Sequence, residues 1–434
     1  MNKAQSRGEN VFKNRNYLLV FLGALVSELG AILYSFAVSF YLLEISGNDA
    51  FLQGLYLALC GAVMLVFTPI GGVLGDRLHK GKIMAICDYA KGGLILLSTL
   101  LMLFFRSNSA HIAILFGLGL LGNAVSGIFS PAASALLPHI VDEDRLQQAN
   151  AYFSIRSSLQ GILGVVLAGV LYAALSIQTL FVLVGVCYVI SGVSEMFIRY
   201  EHRPSGEKLT LRLAFGDMRE GLRYLKAQKA LMALMAAMLF INFFFAPVTG
   251  NFLPYFIKTD VADAPGYLFD RLLTPELWSS VFSVLIGISS LIGAALLSVS
   301  AQQEKCGFKM ALELCGLAAV MIGLSLSYWL LVDKGTSLDL FLILFGTGCL
   351  VTGFLISYIN IPASTVLMRV VDRDKLSKVS SIISIASQGL IPIASVLAGA
   401  ALQYMGSAWL LALCALGFTA TALSMLFNRR VREI

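Results

Sequence analysis

The stretch VDEDRL at residues 141–146 occurs again, with two residues changed, as VDRDKL at residues 371–376. Short flanking matches accompany both copies: Pro131-Ala132 with Pro362-Ala363, Ser154-Ile155 with Ser384-Ile385, and Leu167-Ala168-Gly169 with Leu397-Ala398-Gly399. A chain of 434 residues that repeats at about half its length is interpreted as two fused copies of one unit.

Both copies of the motif lie between long apolar runs. Hydrophobic residues make up 58% of the chain and charged residues 13%, with a mean hydropathy of +0.83. Soluble chains carry about 25% charged residues, so this composition excludes a soluble protein. Runs of about 20 apolar residues can cross the hydrocarbon layer as helices. Twelve such spans are predicted: 17–43, 52–75, 83–105, 110–136, 149–174, 179–199, 230–257, 278–301, 310–332, 338–366, 379–403 and 406–428.

The distribution of cations predicts the orientation of these spans. With the N-terminus inside, the cytoplasmic segments hold 25 of the 31 Lys and Arg residues. The outer loops hold four: Arg106, Lys258, Arg271 and Lys334. Because Lys and Arg accumulate on the cytoplasmic side, both termini are expected to be cytoplasmic. Membrane topology thus accounts for the net charge of +6, and nucleic acid is not expected as a partner.

The spans divide into six plus six. We predict a cytoplasmic N-terminal segment over 1–16 without a cleaved signal peptide, a six-helix bundle over 17–199 and a second bundle over 230–428. A short tail, 429–434, ends the chain. Between the bundles, 200–229 is predicted to be a cytoplasmic linker with an amphipathic helix, since Met218, Leu222 and Leu225 share one face. The fold class is all-α, with twelve transmembrane helices in two pseudo-symmetric bundles.

A cytoplasmic motif follows the second span. It reads GVLGDRLHKGK over residues 72–82 and resembles the signature G-x-x-x-D-R of the major facilitator superfamily. The parallel repeat and the six-plus-six arrangement also resemble that family. Three further stretches are similar to its macrolide-efflux type of drug:proton antiporter: PAASALLP at 131–138, LQQAN at 146–150 and DMREGLRYLK at 217–226. One departure weakens antiport: GVVLAG at 164–169 has Val165 where antiporters often carry proline.

The resemblance implies a gating motif of Gly72, Asp76, Arg77, Lys80 and Asp88. Gly72 would let helices approach closely, and Asp76 would accept from the N-terminus of helix 11. That contact would latch the two halves on the cytoplasmic side. Asp88 could hold Arg77 in this latch or form a local ion pair with Lys91, three residues on.

Ionisable residues inside the apolar runs are the candidates for coupling. Glu28 lies about 16 Å along the first span, and Ser35 and Ser39 continue a polar stripe on its face. A carboxyl group costs at least a few kcal/mol in hydrocarbon, so Glu28 is expected to face a wet cavity and carry a proton. We expect Arg156, on the fifth span, to pair with it in one state. A purely structural Glu28 is the alternative. Glu195 and Glu313, near helix ends, are expected to snorkel to water.

In the family that the chain resembles, helices 1, 4, 7 and 10 line the substrate cavity. The candidates on these spans are Glu28, Ser35, Asn123, Asn242, Phe245, Thr249, Ser357 and Asn360. Amides and aromatic rings suit amphipathic or cationic organic molecules. Helix–helix hydrogen bonding is the alternative for each amide. Prolines at 247, 254 and 362 are expected to bend their helices.

These patterns predict a secondary active transporter of the bacterial cytoplasmic membrane that works by alternating access. The most favoured function is proton-coupled efflux of drug-like molecules, and hence drug resistance. An exporter of one metabolite or siderophore and a lysolipid transporter are alternatives, and a non-transporting sensor or scaffold is a third. No enzyme is expected, because no nucleophile–base pair, metal cluster or cofactor loop is found. The expected partners are a small-molecule substrate, protons and lipid, with no cofactor and a monomeric chain.

Overall fold

The computed structural model describes residues 11–142, 145–200, 223, 228–264, 266–271, 273–299, 306–371 and 388–428. The described ranges contain helices and no strand. In chain order they are α1 Arg15–Ser46, α2 Ala50–Arg77, α3 Lys80–Phe104, α4 Asn108–Ile140, α5 Leu146–Ala174, α6 Ile177–Met196, α7 Lys229–Pro247, α8 Pro275–Val299, α9 Cys306–Ser327, α10 Leu338–Val370, α11 Ile391–Met405 and α12 Ser407–Phe427.

Eleven of these segments are long and apolar enough to cross a membrane, which confirms the all-helical membrane fold. The twelfth, α11, has 15 described residues. The first part of its predicted span, 379–387, lies outside the described residues, and so does the linker helix predicted within 215–226, apart from position 223. The terminal segments 1–10 and 429–434 lie outside them as well.

The chain divides into two compact units, and the division cuts α1 and α2. Unit 1 comprises residues 1–38 and 63–212, and unit 2 comprises 39–62 and 213–434. In unit 1, α3 packs on α6 and α4. The second half of α2 approaches α4 closely: a Cβ at Gly71 would lie 2.6 Å from the Cα of Ile128, and one at Gly127 would lie 2.6 Å from the carbonyl oxygen of Met64.

Unit 2 repeats this packing pattern. Its α9 packs on α12 and α10, and α8 packs on α10. A Cβ at Gly353 of α10 would overlap the carbonyl oxygen of Ile286 in α8, as one at Gly127 of α4 would crowd the backbone of α2. Helix pairs 3–6, 3–4 and 2–4 of unit 1 thus have counterparts 9–12, 9–10 and 8–10 in unit 2, as a duplicated chain requires.

The first half of α2 belongs to unit 2, where it crosses α11 with backbones in contact. A Cβ at Gly54 would overlap the carbonyl oxygen of Ser395 and lie 3.0 Å from the Cα of Gly399. The amide of Ala50 donates to Gln403 Oε1 at 2.9 Å and fixes the end of this crossing. Two glycines therefore set the distance between α2 and α11.

Helix α7 continues without a break into a π turn, Val248–Phe252, one α turn, Leu253–Phe256, and a second π turn, Ile257–Val261. The Leu253 amide bonds the carbonyl of Val248, five residues back. Pro254 follows directly and has no amide to donate, so the normal ladder cannot resume before it. Proline is expected to bend this helix, and the structure shows a change from α to π hydrogen bonding next to Pro254.

Candidate functional site

The strongest polar contact within unit 1 joins α1 to α5. Arg156 Nη2 donates to Glu28 Oε1 at 2.7 Å. The side chain of Arg156 is 5% exposed and that of Glu28 is 45% exposed. The cation is therefore the buried member of this pair, and the carboxyl group is the more exposed member.

Aromatic rings surround the guanidinium. Its central carbon lies 4.6 Å from the ring centre of Phe153 and 5.7 Å from that of Phe21. Its Nε and Nη1 atoms have no hydrogen-bond partner among the described residues. Cation–π contacts stabilise a desolvated cation by about 2 kcal/mol or more, and the charge-assisted bond to Glu28 adds to this compensation for burial.

The packing of α1 on α5 positions the two side chains. Gly164 is overlaid by Ile32 and Leu29, since a Cβ there would lie 2.8 Å and 3.3 Å from their methyl groups. One turn before it, Gln160 Nε2 donates to the carbonyl oxygen of Leu25 at 2.7 Å. Arg156 lies one turn before Gln160 on the same face of α5, so these contacts hold it opposite Glu28.

Of the predicted substrate residues in unit 1, Ser35 is exposed, and Asn123 bonds its own helix. Asn123 Nδ2 donates to the carbonyl oxygen of Gly119 at 2.9 Å. Asn242, in unit 2, does the same to Met238 at 2.9 Å. Both amides are half-buried and keep their carbonyl oxygens for other partners.

The other candidates in unit 2 differ in their surroundings. Ser357 is buried and bonds Ser290 of α8, with 2.7 Å to its carbonyl oxygen. It therefore joins α8 to α10 by a hydrogen bond between the two helices. Thr249 is exposed and donates to its own helix at 3.4 Å. Phe245 is half-buried, and Asn360 is exposed.

The predicted gating motif is described in part. Asp76 and Arg77 end α2, and their side chains lie outside the described residues. A Cβ at Gly72 meets nothing within 4 Å among the described atoms, and Gly71 is the glycine that approaches α4 closely. The predicted partner of the motif, the N-terminus of helix 11, lies outside the described residues. Lys80 is buried, and its amide donates to the Tyr200 hydroxyl at 2.8 Å.

Two expectations about acidic residues on α3 and α6 are wrong. Asp88 forms no ion pair with Lys91, whose ammonium group lies 4.5 Å from the ring centre of Tyr188. Glu195 does not snorkel: it is 0% exposed, and neither carboxylate oxygen has a partner among the described residues. Asp88 is 1% exposed. The hydropathy pattern places Glu195 near the end of its helix, but this position is buried because α3 packs on that face of α6.

Two polar features of unit 2 escaped the sequence analysis. Asn251, in the first π turn, is fully buried and donates to the carbonyl oxygen of Ser395 at 3.3 Å. Lys258, counted only as an outer-loop cation, lies 3.3 Å from Glu44 and 3.2 Å from Glu276. The ion pairs of Lys258 connect the end of α1 and the start of α8 to the segment after α7.

Known proteins with similar sequences are membrane transporters. The chain is 26% identical over 333 residues to the MFS-type transporter YkuC of Bacillus subtilis (strain 168), covering 74% of this chain and 73% of that protein. It is 23% identical over 328 residues to macrolide efflux protein A of Streptococcus pyogenes, covering 72% and 78%.

Solved structures show the same fold at low sequence identity. The nucleoside transporter NupG superposes with a TM-score of 0.70 at 13% identity, over 96% of this chain and 100% of that one. The family model of the Major Facilitator Superfamily matches residues 20–394, most of the chain. The chain therefore belongs to the Major Facilitator Superfamily and is a multi-pass membrane transporter, not an enzyme.

Proposed function

We propose that this transporter is a proton-coupled exporter of drug-like or amphipathic molecules in the bacterial cytoplasmic membrane. The observation that carries the proposal is the Glu28–Arg156 pair, in which a half-exposed carboxyl group compensates a buried cation. Protonation of Glu28 would remove that compensation and favour a different packing of α1 and α5. A proton and a cationic substrate would then compete for one carboxylate, which is the chemistry of an antiporter.

Arg156 would supply a second contact to the substrate. Two of its nitrogens have no partner among the described residues, so it can bind another oxygen when Glu28 is neutral. Substrate carbonyl or hydroxyl oxygens are suitable ligands. We propose Ser35, Asn123, Asn242, Phe245, Thr249 and Asn360 as further substrate contacts; Ser357 is left out, because it bonds Ser290 between two helices.

The direction of transport is proposed as export. Macrolide efflux protein A exports its named substrate class, and its similarity extends over 72% of this chain. The carboxyl group on α1, beside aromatic rings, would suit macrolides and other cationic amphiphiles. The alternatives are export of one metabolite or siderophore and movement of lysolipids. Both would accept a narrower range of substrates than the proposed exporter.

Everted membrane vesicles test coupling and breadth together. We expect an imposed proton gradient, acid inside, to drive accumulation of several cationic dyes by the wild-type protein. Glu28→Gln should reduce this accumulation at least about tenfold, a change of roughly 1.4 kcal/mol. Glu313→Gln is the matched control, since it removes a carboxyl group from another apolar helix, and it should transport normally.

Substrate exchange at equal pH on both sides separates coupling from binding. If a cationic substrate binds the same carboxylate as the proton, Glu28→Gln loses exchange as well as gradient-driven accumulation. Exchange that persists while accumulation fails would mean that Glu28 carries only the proton. If Glu28→Gln accumulates dyes like the wild type, the coupling role is wrong. Transport of one compound only would favour a narrow exporter, and no flux of any compound would favour a sensor or scaffold.

A further inference from the structure

We propose that Asp88 of α3 and Glu195 of α6 form a second proton-binding site of unit 1, in which the two carboxyl groups share one proton. Neither residue takes part in the Glu28 exchange. Both are buried, at 1% and 0% exposure. Asp88 Oδ2 and both oxygens of Glu195 have no hydrogen-bond partner among the described residues.

The register of α3 on α6 brings the two acids to the same place. A Cβ at Gly192 would lie 3.2 Å from both the carbonyl oxygen of Ala85 and the ring of Tyr89. One residue before Gly192, the hydroxyl of Ser191 faces Asp88. Glu195 lies one turn after Ser191 on the same helical face. The close packing at Gly192 excludes water from between the two helices at this point.

Few cations are available to neutralise the pair. On α3, Lys91 lies over the ring of Tyr188 and acts on Asp88 as a nearby positive charge without forming an ion pair, and Cys87 adjoins both acids. On α1, Gly23 faces Glu195, since a Cβ there would lie 3.5 Å from its Cγ. On α4, His139 lies with its ring centre 5.8 Å from that of Tyr200. Among the described groups, none forms an ion pair with Asp88 or Glu195.

Two unpaired carboxylates in this surrounding repel one another and lack solvation. The ionised pair is therefore unfavourable by several kcal/mol, and one bound proton removes both costs. Shared protons on paired carboxyl groups belong to the pair and leave in two separate steps. A proton is also the one ligand small enough for a site from which packing excludes water.

A cavity lies beside Glu195, next to the end of α6. Its volume is about 590 Å³, and Glu195 forms part of its wall. Around it lie His79, Lys82, Arg199 and Tyr200. Burial raises the pKa of the Tyr200 phenol, although the Lys80 amide bond opposes this effect, so Tyr200 stays neutral. The basic groups attract hydroxide and buffer anions, which would remove the proton from Glu195.

Infrared spectroscopy of the purified full-length protein in lipid nanodiscs tests the site without any transport measurement. The probe is the carbonyl stretch of a protonated carboxyl group, followed from about pH 5 to 9. We expect the wild-type protein to lose one such band as pH rises, and Glu195→Gln to lack that loss. Asp88→Asn should move the midpoint down by at least about one pH unit, because the neighbouring negative charge is gone.

A merely structural carboxyl group would behave differently. If the band assigned to Glu195 keeps its intensity across the titration, or if Asp88→Asn leaves its midpoint unchanged, the shared site is overturned. Asp88→Asn alone decides the question if Glu195→Gln does not fold. Glu28→Gln must leave this band in place. Its effect on vesicle transport tests the proposed function separately, so either idea can fail alone.

Discussion

At the scale of single residues, the asymmetry of the Glu28–Arg156 pair predicts unequal effects of its two members on stability. Glu28→Gln leaves a guanidinium that is 5% exposed without its acid, whereas Arg156→Met leaves a carboxyl group that is 45% exposed. Removing one partner of a buried pair costs more than removing both. We expect Glu28→Gln to lower Tm by roughly 5 °C, Arg156→Met to lower it less, and the double variant to recover most of the loss.

Unfolding can be followed with a thiol-reactive dye, since Cys60, Cys87, Cys349 and Cys414 are buried and free. Glu313→Gln again serves as control and should keep the wild-type Tm. Equal losses for Glu28→Gln and Arg156→Met, with additive loss in the double variant, would contradict a compensated buried cation.

Individual acids are predictable from the sequence to different degrees. Glu28 stands out because it interrupts the middle of an apolar run, and the resemblance to a known fold places Arg156 beside it. Glu195 is misjudged because it lies near the end of its run. A usable signal exists: Gly185, Tyr188, Gly192 and Glu195 follow helical spacing on α6. Their shared face is the buried one, while Ile190 and Val193 are exposed.

At the scale of elements, the crossing of α2 and α11 predicts that one methyl group disturbs unit 2. Gly399→Ala would place a Cβ 2.5 Å from the carbonyl oxygen of Ala50 and 3.1 Å from the Cα of Gly54, so the helices must separate. Alanine otherwise favours a helix by about 1 kcal/mol over glycine. We expect Gly399→Ala to lower Tm, with Gly323→Ala in α9 as a matched control that holds or raises it.

That control is apt because a Cβ at Gly323 meets nothing within 4 Å among the described atoms. A Gly399→Ala protein as stable as Gly323→Ala would show that α2 and α11 do not form this contact. Dye accumulation by both variants, measured in the same vesicles, would then report whether the crossing must open and close during transport.

The ion triad of unit 2 predicts a second set of unequal effects. Lys258 is 14% exposed and Glu276 is 15% exposed, whereas Glu44 is 55% exposed. An exposed ion pair contributes at most about 1 kcal/mol, and a partly buried pair contributes more. Lys258→Met should therefore lower Tm clearly, and Glu44→Gln should change it little. Arg271→Met, which removes an exposed cation of the same face, should have no effect.

Melting curves of these three variants decide the matter. No loss with Lys258→Met would mean that the contact to Glu276 contributes nothing to the stability of unit 2, and a large loss with Glu44→Gln would mean that the exposed pair contributes more than its exposure predicts. High salt should reduce the small Glu44 effect and leave most of the Lys258 effect, since screening acts on exposed charges.

At the scale of the whole molecule, hydropathy predicts where helices occur but not which faces pack. In a membrane, apolar side chains face lipid as well as neighbouring helices, so no amphipathic stripe marks the inner face. Gly71 is an example: it approaches the backbone of α4 closely, and the hydropathy pattern does not distinguish it from Gly72. The aromatic residues after α7 show the same limit, because Phe252 and Phe256 are fully buried in unit 2 and line no open wall.

The last prediction concerns the number of crossings. Eleven described helices are long and apolar enough to span a membrane, and 15 residues of α11 are described, since 379–387 of its predicted span lie outside the described residues. Twelve crossings would place both termini on one side, and eleven would place them on opposite sides. Because cations are concentrated in the segments assigned to the cytoplasm, we expect twelve crossings and a cytoplasmic C-terminus.

Reporter fusions measure this directly. Alkaline phosphatase is active only outside the cytoplasm, and green fluorescent protein exported unfolded fluoresces only when it stays inside. We expect a fusion after Ile434 to fluoresce and to lack phosphatase activity. A phosphatase fusion in the loop at Lys334, between the ninth and tenth helices, is the matched control and should be active. An active phosphatase after Ile434 would mean that α11 does not cross, and the six-plus-six arrangement would be wrong.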